Sequence, residues 1–508
     1  MISLFDQGLC APRPDPFNLA AHVLGRAEAN ADKTALAVLG LHSAETWSYA
    51  RLKSAVLGTG TGLLQAGLRP GDRVLMRLGN TVEFPIAYLG AIAVGLVPVP
   101  TSTQLTAPEV ASMIRTITPA AILRAPGVAC PETDVAIIEQ PALEAMRDLP
   151  AARYDMGDPD RLAYIIYTSG TSGVPRAVCH AHRAIWARQM MFEGWYGLRD
   201  SDRLCHAGAF NWTYTLGTGL MDPWTIGATA LIPAPEITPD QLPLLLARHK
   251  ATIFAAAPGV YRKMLKPGQV FDLPDLRHGL SAGEKLSETI RQHWREATGT
   301  AIYEAYGMSE CSTFISGSPA HPATDHSLGR PQQGRRVAIL GPDGPVPLGD
   351  EGTIAIHRDD PGLMLGYLNA PEATAEKFRG DWFVTGDQGA MDADAQITYL
   401  GRCDDMMNAG GFRVSPLEVE AALNQHPGIT QCAVTDIEVK QDARLIMAFY
   451  TGPEPLPSDV LDQFAAAQLA AYKRPRGYFH VPALPTGANG KILRRALRPI
   501  YEALNGQA

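Results

Sequence analysis

Apolar residues recur along most of the chain at two alternating spacings. Positions three and four residues apart predict amphipathic helices at residues 49–66, 239–249 and 287–297. Short apolar runs between such segments predict strands at residues 73–77, 203–205, 228–232, 251–256 and 276–281. Strands that alternate with helices are typical of parallel sheets covered by helices on both faces. We therefore predict an α/β fold whose large N-terminal region contains parallel-type sheets flanked by helices.

The pattern changes near residue 330, where short strand-like runs and turns replace the helices. Residues 337–340 and 353–357 predict strands, and Gly341-Pro-Asp-Gly344 predicts a turn between them. These features indicate a β-rich subdomain at about residues 330–400. We place this subdomain inside an N-terminal domain of residues 1–403.

A separate C-terminal unit follows Gly401-Arg-Cys-Asp404. Ser415-Pro-Leu-Glu418 has the form of a capping box with proline at the first helical position. Beyond it the pattern predicts two strands and one helix, at residues 431–439, 445–451 and 458–472. The sequence thus predicts a small α+β C-terminal domain at residues 404–508.

Composition and charge disfavour several classes of protein. The chain has 508 residues, of which 46% are hydrophobic, and this is enough to form large cores. A net charge of −8 gives no electrostatic footprint for nucleic acid. The most apolar run, residues 84–100, contains three prolines and is near the lower length limit for a membrane span. We interpret it as a buried helix that leads into a strand.

The cysteines and the N-terminus indicate the compartment. Seven cysteines are scattered along the chain, and no Cys-x-x-Cys pair suggests a zinc site or a redox couple. The first residues lack a basic region followed by an apolar core, so we expect no secretory signal. Both observations favour the reducing cytoplasm.

One stretch, residues 164–178, carries the strongest chemical signal. An apolar run is interrupted by hydroxyl and glycine residues and then resumes, which predicts a strand, a loop and a second strand. Hydroxyl donors and glycines that admit backbone N–H groups suit a phosphate-binding loop, although the spacing is not that of a Walker A loop. A surface turn rich in serine and glycine is the alternative for the segment taken alone. The candidate phosphate ligands are Thr168, Ser169, Gly170, Thr171, Ser172, Gly173 and Arg176.

This segment resembles the nucleotide-phosphate loop of the adenylate-forming superfamily of acyl- and aryl-CoA ligases, adenylation domains and luciferases. That family usually shows Thr-Ser-Gly-Thr-Thr-Gly-x-Pro-Lys-Gly, from which Ser172, Arg176 and Ala177 depart. Arginine in place of lysine keeps the charge but changes its geometry. The resemblance extends from about residue 45 to Arg495 through five motifs in the expected order. It implies a large N-terminal domain joined by a hinge to a small C-terminal domain.

The resemblance also implies a magnesium site. In Tyr303-Glu-Ala-Tyr306-Gly-Met-Ser309-Glu310 we expect a strand to deliver a carboxylate just past a glycine turn. Mg²⁺ prefers one or two carboxylates together with substrate phosphates, and the family's equivalent of Glu310 fills that role. Ser309 and Tyr306 are then expected to line the nucleotide. Gly283 and Glu284 match the family segment that runs beside the adenine and the acyl group.

Further residues acquire roles from the resemblance. Asp387 and Arg402 match the ribose ligands, since a carboxylate can accept hydrogen bonds from both ribose hydroxyls. Asp404 matches the hinge, and either aspartate taken alone is more typical of a turn. Lys491 matches the lysine that lies between the substrate carboxylate and the α-phosphate, where it stabilises developing charge.

Two glycines match the family's CoA-binding loop. Gly410 and Gly411 resemble the loop that forms the passage for the pantetheine arm of CoA. Glycine suits a backbone that must lie beside a narrow ligand.

The acyl pocket is predicted from the segment at residues 210–217, which resembles that of benzoate and medium-chain acyl-CoA ligases. Its aromatic residues suggest a mid-sized aryl or branched acid, although core packing is the alternative. The expected pocket residues are Phe210, Trp212, Tyr214, Gly283 and Thr313.

A zinc site is a competing interpretation of five cysteine and histidine residues near the acyl-pocket segment. Alternate residues of a strand share a face, so their side chains could meet. We do not predict zinc there, since the closed four-ligand spacing of such sites is missing. The residues concerned are Cys179, His180, His182, Cys205 and His206.

We predict ATP-dependent ligation of a carboxylic acid to CoA through an acyl-adenylate, with Mg²⁺ as the metal ion. One alternative is an adenylation enzyme that loads a separate carrier protein. Another is a catalytically silent nucleotide-binding protein, for which Arg176 and Ala177 are the only support. The expected partners are a small carboxylic acid, ATP and CoA, with no nucleic acid and no membrane span. A monomer and a homodimer remain open.

Overall fold

The structure is a computed structural model of the chain. It describes all residues except 9–11, 169–175, 267, 403–404, 406, 410–411, 441–442, 470, 488–491 and 506–508. The chain divides into two compact units. The larger unit comprises Phe5–Val337 and Ile356–Phe383, and the smaller comprises Met1–Leu4, Ala338–Ala355 and Val384–Ala508.

A nine-stranded sheet forms the centre of the larger unit. The six inner strands are parallel, and the outermost pairings at both edges are antiparallel. The inner strands are almost continuously apolar because helices cover both faces of a parallel sheet. In sheet order the strands are Arg330–Pro331, Ser312–Ser316, Ile302–Met308, His278–Ala282, Ile253–Ala256, Arg203–His206, Thr229–Pro233, Thr34–Leu39 and Ala44–Ser48.

A second sheet in this unit has four parallel strands. In sheet order they are Val97–Pro100, Arg73–Arg77, Ala121–Arg124 and Ala136–Glu139. Beside it, helices Tyr49–Gln65 and Glu83–Ala93 pack closely. Gly90 permits this approach, since a Cβ there would lie 2.8 Å from the Val56 carbonyl oxygen. The run at residues 84–100 thus forms a buried helix followed by a strand, which confirms the prediction.

In the described part of the chain, no helix combines the length and the apolar character that crossing a bilayer requires.

The third sheet of the larger unit has three strands, Leu162–Thr168, Arg176–Ala181 and Gly366–Tyr367. The first two are antiparallel, with Ile166 opposite Val178 and Thr168 opposite Arg176. They are the two strands predicted on either side of the phosphate loop. The loop residues Ser169, Gly170, Thr171, Ser172 and Gly173 lie outside the described residues.

Helices of the larger unit match the predicted pattern closely. The predicted helix at 239–249 begins as a 3-10 turn, Pro239–Gln241, and continues as Leu242–Arg248. The predicted helix at 287–297 runs from Glu288 to Thr298, because the Ser287 side chain caps its start and Gly299, with φ of 72°, ends it. The other α-helices are Leu19–Val23, Ala107–Ile117, Gln140–Met146, Ala184–Ala187, Thr213–Leu216, Asp222–Ile226, Pro258–Met264 and Pro371–Ala375, and Phe192–Tyr196 and Gly217–Met221 are π-helical turns.

The strands predicted near residues 330–400 are present in a six-stranded sheet. Its strand order is Leu4–Asp6, Arg336–Leu340, Glu351–His357, Trp382–Met391 and Phe378–Arg379, and Ile397–Arg402 also pairs with Trp382–Met391. Burial alternates residue by residue along Trp382–Met391, as expected for a strand with one face covered. The division between the units falls within four of these strands. The domain limits 1–403 and 404–508 stay a prediction.

The C-terminal part of the smaller unit combines strands and helices, as predicted. One sheet contains Gln431–Lys440, Ala443–Thr451 and Gly477–His480, and Met407–Ala409 pairs with Phe412–Val414. The helices are Pro416–Leu423, Ser458–Gln468 and Leu497–Asn505. The helix predicted at 458–472 ends earlier because Leu469 turns to an extended conformation and packs into the core.

The predicted capping box at Ser415 and Glu418 is wrong, although proline does occupy the first position of helix Pro416–Leu423. The Ser415 hydroxyl donates to the backbone carbonyl of Leu400 instead of accepting from the helix. Glu418 forms an ion pair with Lys473, at 2.5 Å. Tertiary partners have therefore replaced both local hydrogen bonds.

Candidate active site

Glu310 lies in the turn that joins strands Ile302–Met308 and Ser312–Ser316. The expectation that Gly307 would form a turn before it is wrong, because Gly307 lies within the strand. A Cβ at Gly307 would approach the Ser312 carbonyl oxygen to 2.2 Å, so glycine is needed for strand pairing here. The reversal follows at residues 309–311, and Ser312 after it adopts a φ of 65°.

Tyr367 connects Glu310 with the end of the predicted phosphate loop. Its hydroxyl donates to Glu310 Oε1 at 2.7 Å. The Arg176 guanidinium lies over the Tyr367 ring, 4.8 Å from its centre, in a cation–π contact. Arg176 and Glu310, which the sequence places in separate motifs, therefore share one aromatic neighbour. Sequence reasoning missed Tyr367, because no pattern in its own segment indicates that contact.

The Glu310 carboxylate fits a magnesium ion in its chemistry. It is half-buried, it presents hard oxygen ligands, and the Tyr367 hydroxyl orients one of them. Mg²⁺ is commonly held by one or two carboxylates while substrate phosphates and water complete its shell. Among the described residues, no three His, Cys, Asp or Glu side chains gather as a metal-binding group.

The residues around Glu310 are held by their backbone and ring contacts. His180 Nε2 lies 2.7 Å from the backbone carbonyl oxygen of Ser309. Tyr306, in the preceding strand, packs edge-to-face against Phe314 with ring centres 5.4 Å apart. His180 therefore positions the backbone beside Glu310.

Two histidines of the predicted zinc-like group, His180 and His182, have other hydrogen-bond partners. His182 Nδ1 accepts a hydrogen bond from the Leu19 backbone N–H at 3.0 Å. Burial lowers the pKa of His180 to about 4 and that of His182 to about 3, so both rings are neutral near pH 7. His206 packs edge-to-face against Tyr214, and Cys179 and Cys205 are buried free thiols.

Three of the predicted acyl-pocket residues lie together. The Trp212 ring lies directly beside Gly283, where a Cβ would be 2.6 Å from the ring. Gly283 has a φ of 97°, so both space and backbone conformation require glycine. Trp212 and Tyr214 meet edge-to-face with ring centres 5.3 Å apart. Glu284 follows Gly283 directly, after strand His278–Ala282.

The other two predicted pocket residues are placed differently. The Thr313 hydroxyl contacts the Met191 sulfur, and Met191 packs in the same cluster as Tyr214. Phe210 is fully buried in another cluster, where its ring packs against Phe84 at 5.6 Å. The structure thus brings Thr313 near the aromatic pair and gives Phe210 a core environment.

Asp387 and Arg402 are brought together in the smaller unit. They occupy facing positions of two antiparallel strands, and Asp387 Oδ1 lies 3.5 Å from Arg402 Nη1. The Tyr399 hydroxyl also approaches Asp387 Oδ1, at 3.4 Å. Burial, and then the Asp387 charge, raises the pKa of Tyr399, so the hydroxyl stays protonated. Sequence reasoning missed Tyr399.

Four residues were predicted for the hinge, the pantetheine passage and catalysis. Asp404, Gly410, Gly411 and Lys491 lie outside the described residues.

A small cavity of about 20 Å³ lies within the larger unit. Ser309 and Ser312, on either side of Glu310, contribute to its wall, and so does Thr213, between Trp212 and Tyr214. Leu216 and Met221 form an apolar part of the wall. The remaining wall residues are Tyr88, Tyr164, His180 and Arg188.

Arg188 at this cavity forms a buried ion pair that sequence reasoning missed. Its Nε and Nη2 donate to the two oxygens of Asp222 at 2.8 and 2.6 Å. Burial disfavours the charged guanidinium, but the Asp222 carboxylate outweighs this and the pKa of Arg188 is raised. The pair therefore carries no net charge. The two residues are 34 positions apart, and neither belongs to a recognisable motif.

Comparison with known proteins identifies the class. Residues 25–368 match the model of the AMP-binding enzymes, and residues 418–491 match that of the AMP-binding enzyme C-terminal domain. The first match spans more than half of the chain. The chain therefore belongs to the AMP-binding enzyme family, as its loop and motifs predicted.

Similar proteins within that family act on aromatic acids by name. The chain is 31% identical to the benzoate–CoA ligase of Thauera aromatica over 96% of each chain. It is 29% identical to the 3-hydroxybenzoate–CoA ligase of Aromatoleum sp. (strain CIB), over 96% of this chain and 97% of that one. Among solved structures, the anthranilate CoA ligase AuaEII in complex with anthranoyl-AMP matches with a TM-score of 0.87 and 28% identity, covering 97% of this chain and 99% of that one.

Proposed function

We propose that the protein is an ATP-dependent carboxylic acid–CoA ligase. In the first half-reaction the acid carboxylate attacks the α-phosphate of ATP, giving acyl-AMP and pyrophosphate. In the second, the CoA thiol attacks the acyl carbon and AMP leaves. Membership of the AMP-binding enzymes and the similarity to named CoA ligases support this chemistry.

The observation that carries the proposal is the contact of Tyr367 with both Glu310 and Arg176. It places a carboxylate and a fixed cation beside the end of a loop rich in hydroxyls and glycines. Glu310 is proposed to hold Mg²⁺, which when bound would offset the charge of the phosphates. Arg176 is proposed to contact the phosphates directly.

Asp387 and Arg402 are proposed to bind the ribose. Asp387 offers two acceptor oxygens to the two ribose hydroxyls, and Arg402, 3.5 Å away, orients the carboxylate. Lys491 is proposed to bridge the substrate carboxylate and the α-phosphate during adenylation. Asp404 is proposed as the hinge between the half-reactions, and Gly410 and Gly411 as the pantetheine passage.

The substrate is proposed to be an aromatic or mid-sized acid. Trp212 and Tyr214 meet edge-to-face, and Gly283 lets the Trp212 ring pack directly against the backbone. Aromatic pairs in such geometry contribute about 0.5–1.5 kcal/mol beyond area burial, which favours a planar ring over acetate. The described cysteines are free thiols, which fits a proposed cytoplasmic location.

A panel of acids supplied with MgATP and CoA tests the proposal. Benzoate, branched medium-chain acids, acetate and palmitate are compared by pyrophosphate release and by thioester formation. We expect pyrophosphate and CoA thioester with benzoate or a branched acid, at higher kcat/KM than with acetate or palmitate. Pyrophosphate release without thioester would favour a carrier protein as acceptor. Nucleotide binding without pyrophosphate release from any acid would contradict the ligase assignment.

A further inference from the structure

Two buried polar atoms at the cavity have no partner among the described residues. They are the Tyr88 hydroxyl and His180 Nδ1. Tyr88 is fully buried and His180 is 3% exposed, so bulk water does not reach them. Buried polar groups are nearly always hydrogen-bonded, and leaving one unpaired costs about 1–3 kcal/mol. Both residues contribute to the cavity wall, so a molecule held in the cavity can supply the missing bonds.

The hydrogen-bonding roles at His180 follow from its other nitrogen. Nε2 faces the Ser309 carbonyl oxygen at 2.7 Å, and a carbonyl can only accept. Nε2 therefore carries the proton. Burial lowers the pKa of His180 to about 4, so Nδ1 has no proton near pH 7 and can only accept. The ring is fixed in place by stacking on Tyr164, with centres 4.9 Å apart.

Other residues of the cavity wall supply hydrogen-bond donors. Burial raises the pKa of Tyr88, so its hydroxyl keeps its proton and can donate. Arg188 Nη1 donates to Ser312 Oγ at 2.5 Å, and the guanidinium charge is balanced by Asp222. The cavity therefore combines an acceptor, His180 Nδ1, with a donor, the Tyr88 hydroxyl, and has no net charge.

We propose that this cavity is a specificity site for a hydroxyl group on the acid substrate. A hydroxyl donates one hydrogen bond and accepts others, so it can satisfy His180 Nδ1 and the Tyr88 hydroxyl together. A second carboxylate cannot donate to His180, and it would enter a cavity whose cation is already paired. An acid whose ring carries no hydroxyl would leave both His180 Nδ1 and the Tyr88 hydroxyl unpaired. This inference rests on the proposed ligase function, and it narrows the substrate class to hydroxylated acids.

Substrate pairs that differ by one hydroxyl test the inference. The kcat/KM for pyrophosphate release is measured with benzoate, with 2-, 3- and 4-hydroxybenzoate, and with isophthalate as a dicarboxylate. We expect at least one hydroxybenzoate to exceed benzoate by about tenfold or more, since two hydrogen bonds are gained. Isophthalate is expected to be poorer than benzoate.

Two variants assign the preference to the cavity. Tyr88→Phe removes only the hydroxyl, and His180→Phe removes the Nδ1 acceptor while keeping a ring that stacks on Tyr164. Each should bring the ratio of kcat/KM for the preferred hydroxybenzoate over benzoate to within about threefold of unity. The ratio compares two substrates on one preparation, so partial loss of folded protein does not affect it. Tyr49→Phe is the control, because it removes a buried hydroxyl that is bonded to Ala228 and does not contribute to the cavity wall.

The outcomes separate the two proposals. If no hydroxybenzoate exceeds benzoate, or if both variants keep the wild-type ratio, the specificity site is refuted and the ligase function stands. Equal rates for benzoate and all its hydroxy derivatives would indicate that bound water satisfies Tyr88 and His180. Absence of pyrophosphate release with every acid would refute the proposed function itself.

Discussion

Removing the Asp222 carboxylate should destabilise the larger unit strongly. Asp222 is fully buried and accepts three hydrogen bonds, two from Arg188 and one from the Tyr196 hydroxyl at 2.8 Å. In Asp222→Asn the buried guanidinium loses its counter-charge, and the amide nitrogen faces an Arg188 N–H, which can only donate. Breaking a buried ion pair on one side costs about 3–5 kcal/mol. Against a typical total of about 5–15 kcal/mol, this is a large fraction of the stability.

Urea denaturation measures this cost. Unfolding is followed by tryptophan fluorescence, since Trp195 and Trp224 are fully buried near the ion pair, and free energies are obtained by linear extrapolation. The double variant Arg188→Met/Asp222→Leu removes both charges and should recover at least half of the loss, since apolar residues of similar volume replace such pairs at little cost. Glu28→Gln, in the exposed pair with Lys53, serves as the control and should cause no measurable change.

Two results would refute this reasoning. One is a decrease of less than about 1 kcal/mol in the free energy of unfolding of Asp222→Asn. Ion pairs exposed to solvent contribute that little. The other is a double variant that is as unstable as the single one, which would mean that packing, and not the unpaired charge, causes the loss.

The remaining predictions concern catalysis, specificity and pH. Lys491→Ala should nearly abolish formation of acyl-adenylate but leave thioester formation from synthetic acyl-adenylate and CoA, measured as separate half-reactions. Asp404→Pro should spare adenylation and slow thioester formation in single-turnover assays, because proline fixes φ at the proposed hinge. Trp212→Ala should move the optimum of kcat/KM toward bulkier acids across an acid series. Burial lowers the pKa of His206 to about 3, whereas an unfolded histidine takes up a proton below about 6.5. Stability should therefore fall as the pH drops from 6.5 toward 3, and His206→Leu should flatten that dependence in urea titrations.

Each of these has a contrary outcome. Loss of both half-reactions in Lys491→Ala, or equal slowing of both in Asp404→Pro, would contradict the assigned roles. An optimum for acetate or for a C16 acid in the wild type would contradict the pocket argument behind Trp212. An unchanged pH dependence in His206→Leu would show that other groups govern acid unfolding.

Local sequence determined most of the secondary structure, and its motifs indicated the family. Residues 84–100 form a helix and a strand because their apolar residues and prolines allow little else, and the parallel strands follow from short apolar runs between helices. The strands on either side of the phosphate loop were predictable for the same reason. Capping by Ser287 and the stop at Gly299 are likewise local effects.

Tertiary structure alone decided which side chains meet. Tyr367 contacts Glu310 from 57 residues away, and Arg188 pairs with Asp222 across 34 residues, so no local periodicity indicates either contact. Ser415 shows the reverse case, in which a valid local signal failed because the Leu400 carbonyl offered its hydroxyl another partner. Such contacts depend on how sheets and helices pack, and packing is a property of the whole chain. The same physical reason explains why the cavity with Tyr88 and His180 could be found only in three dimensions.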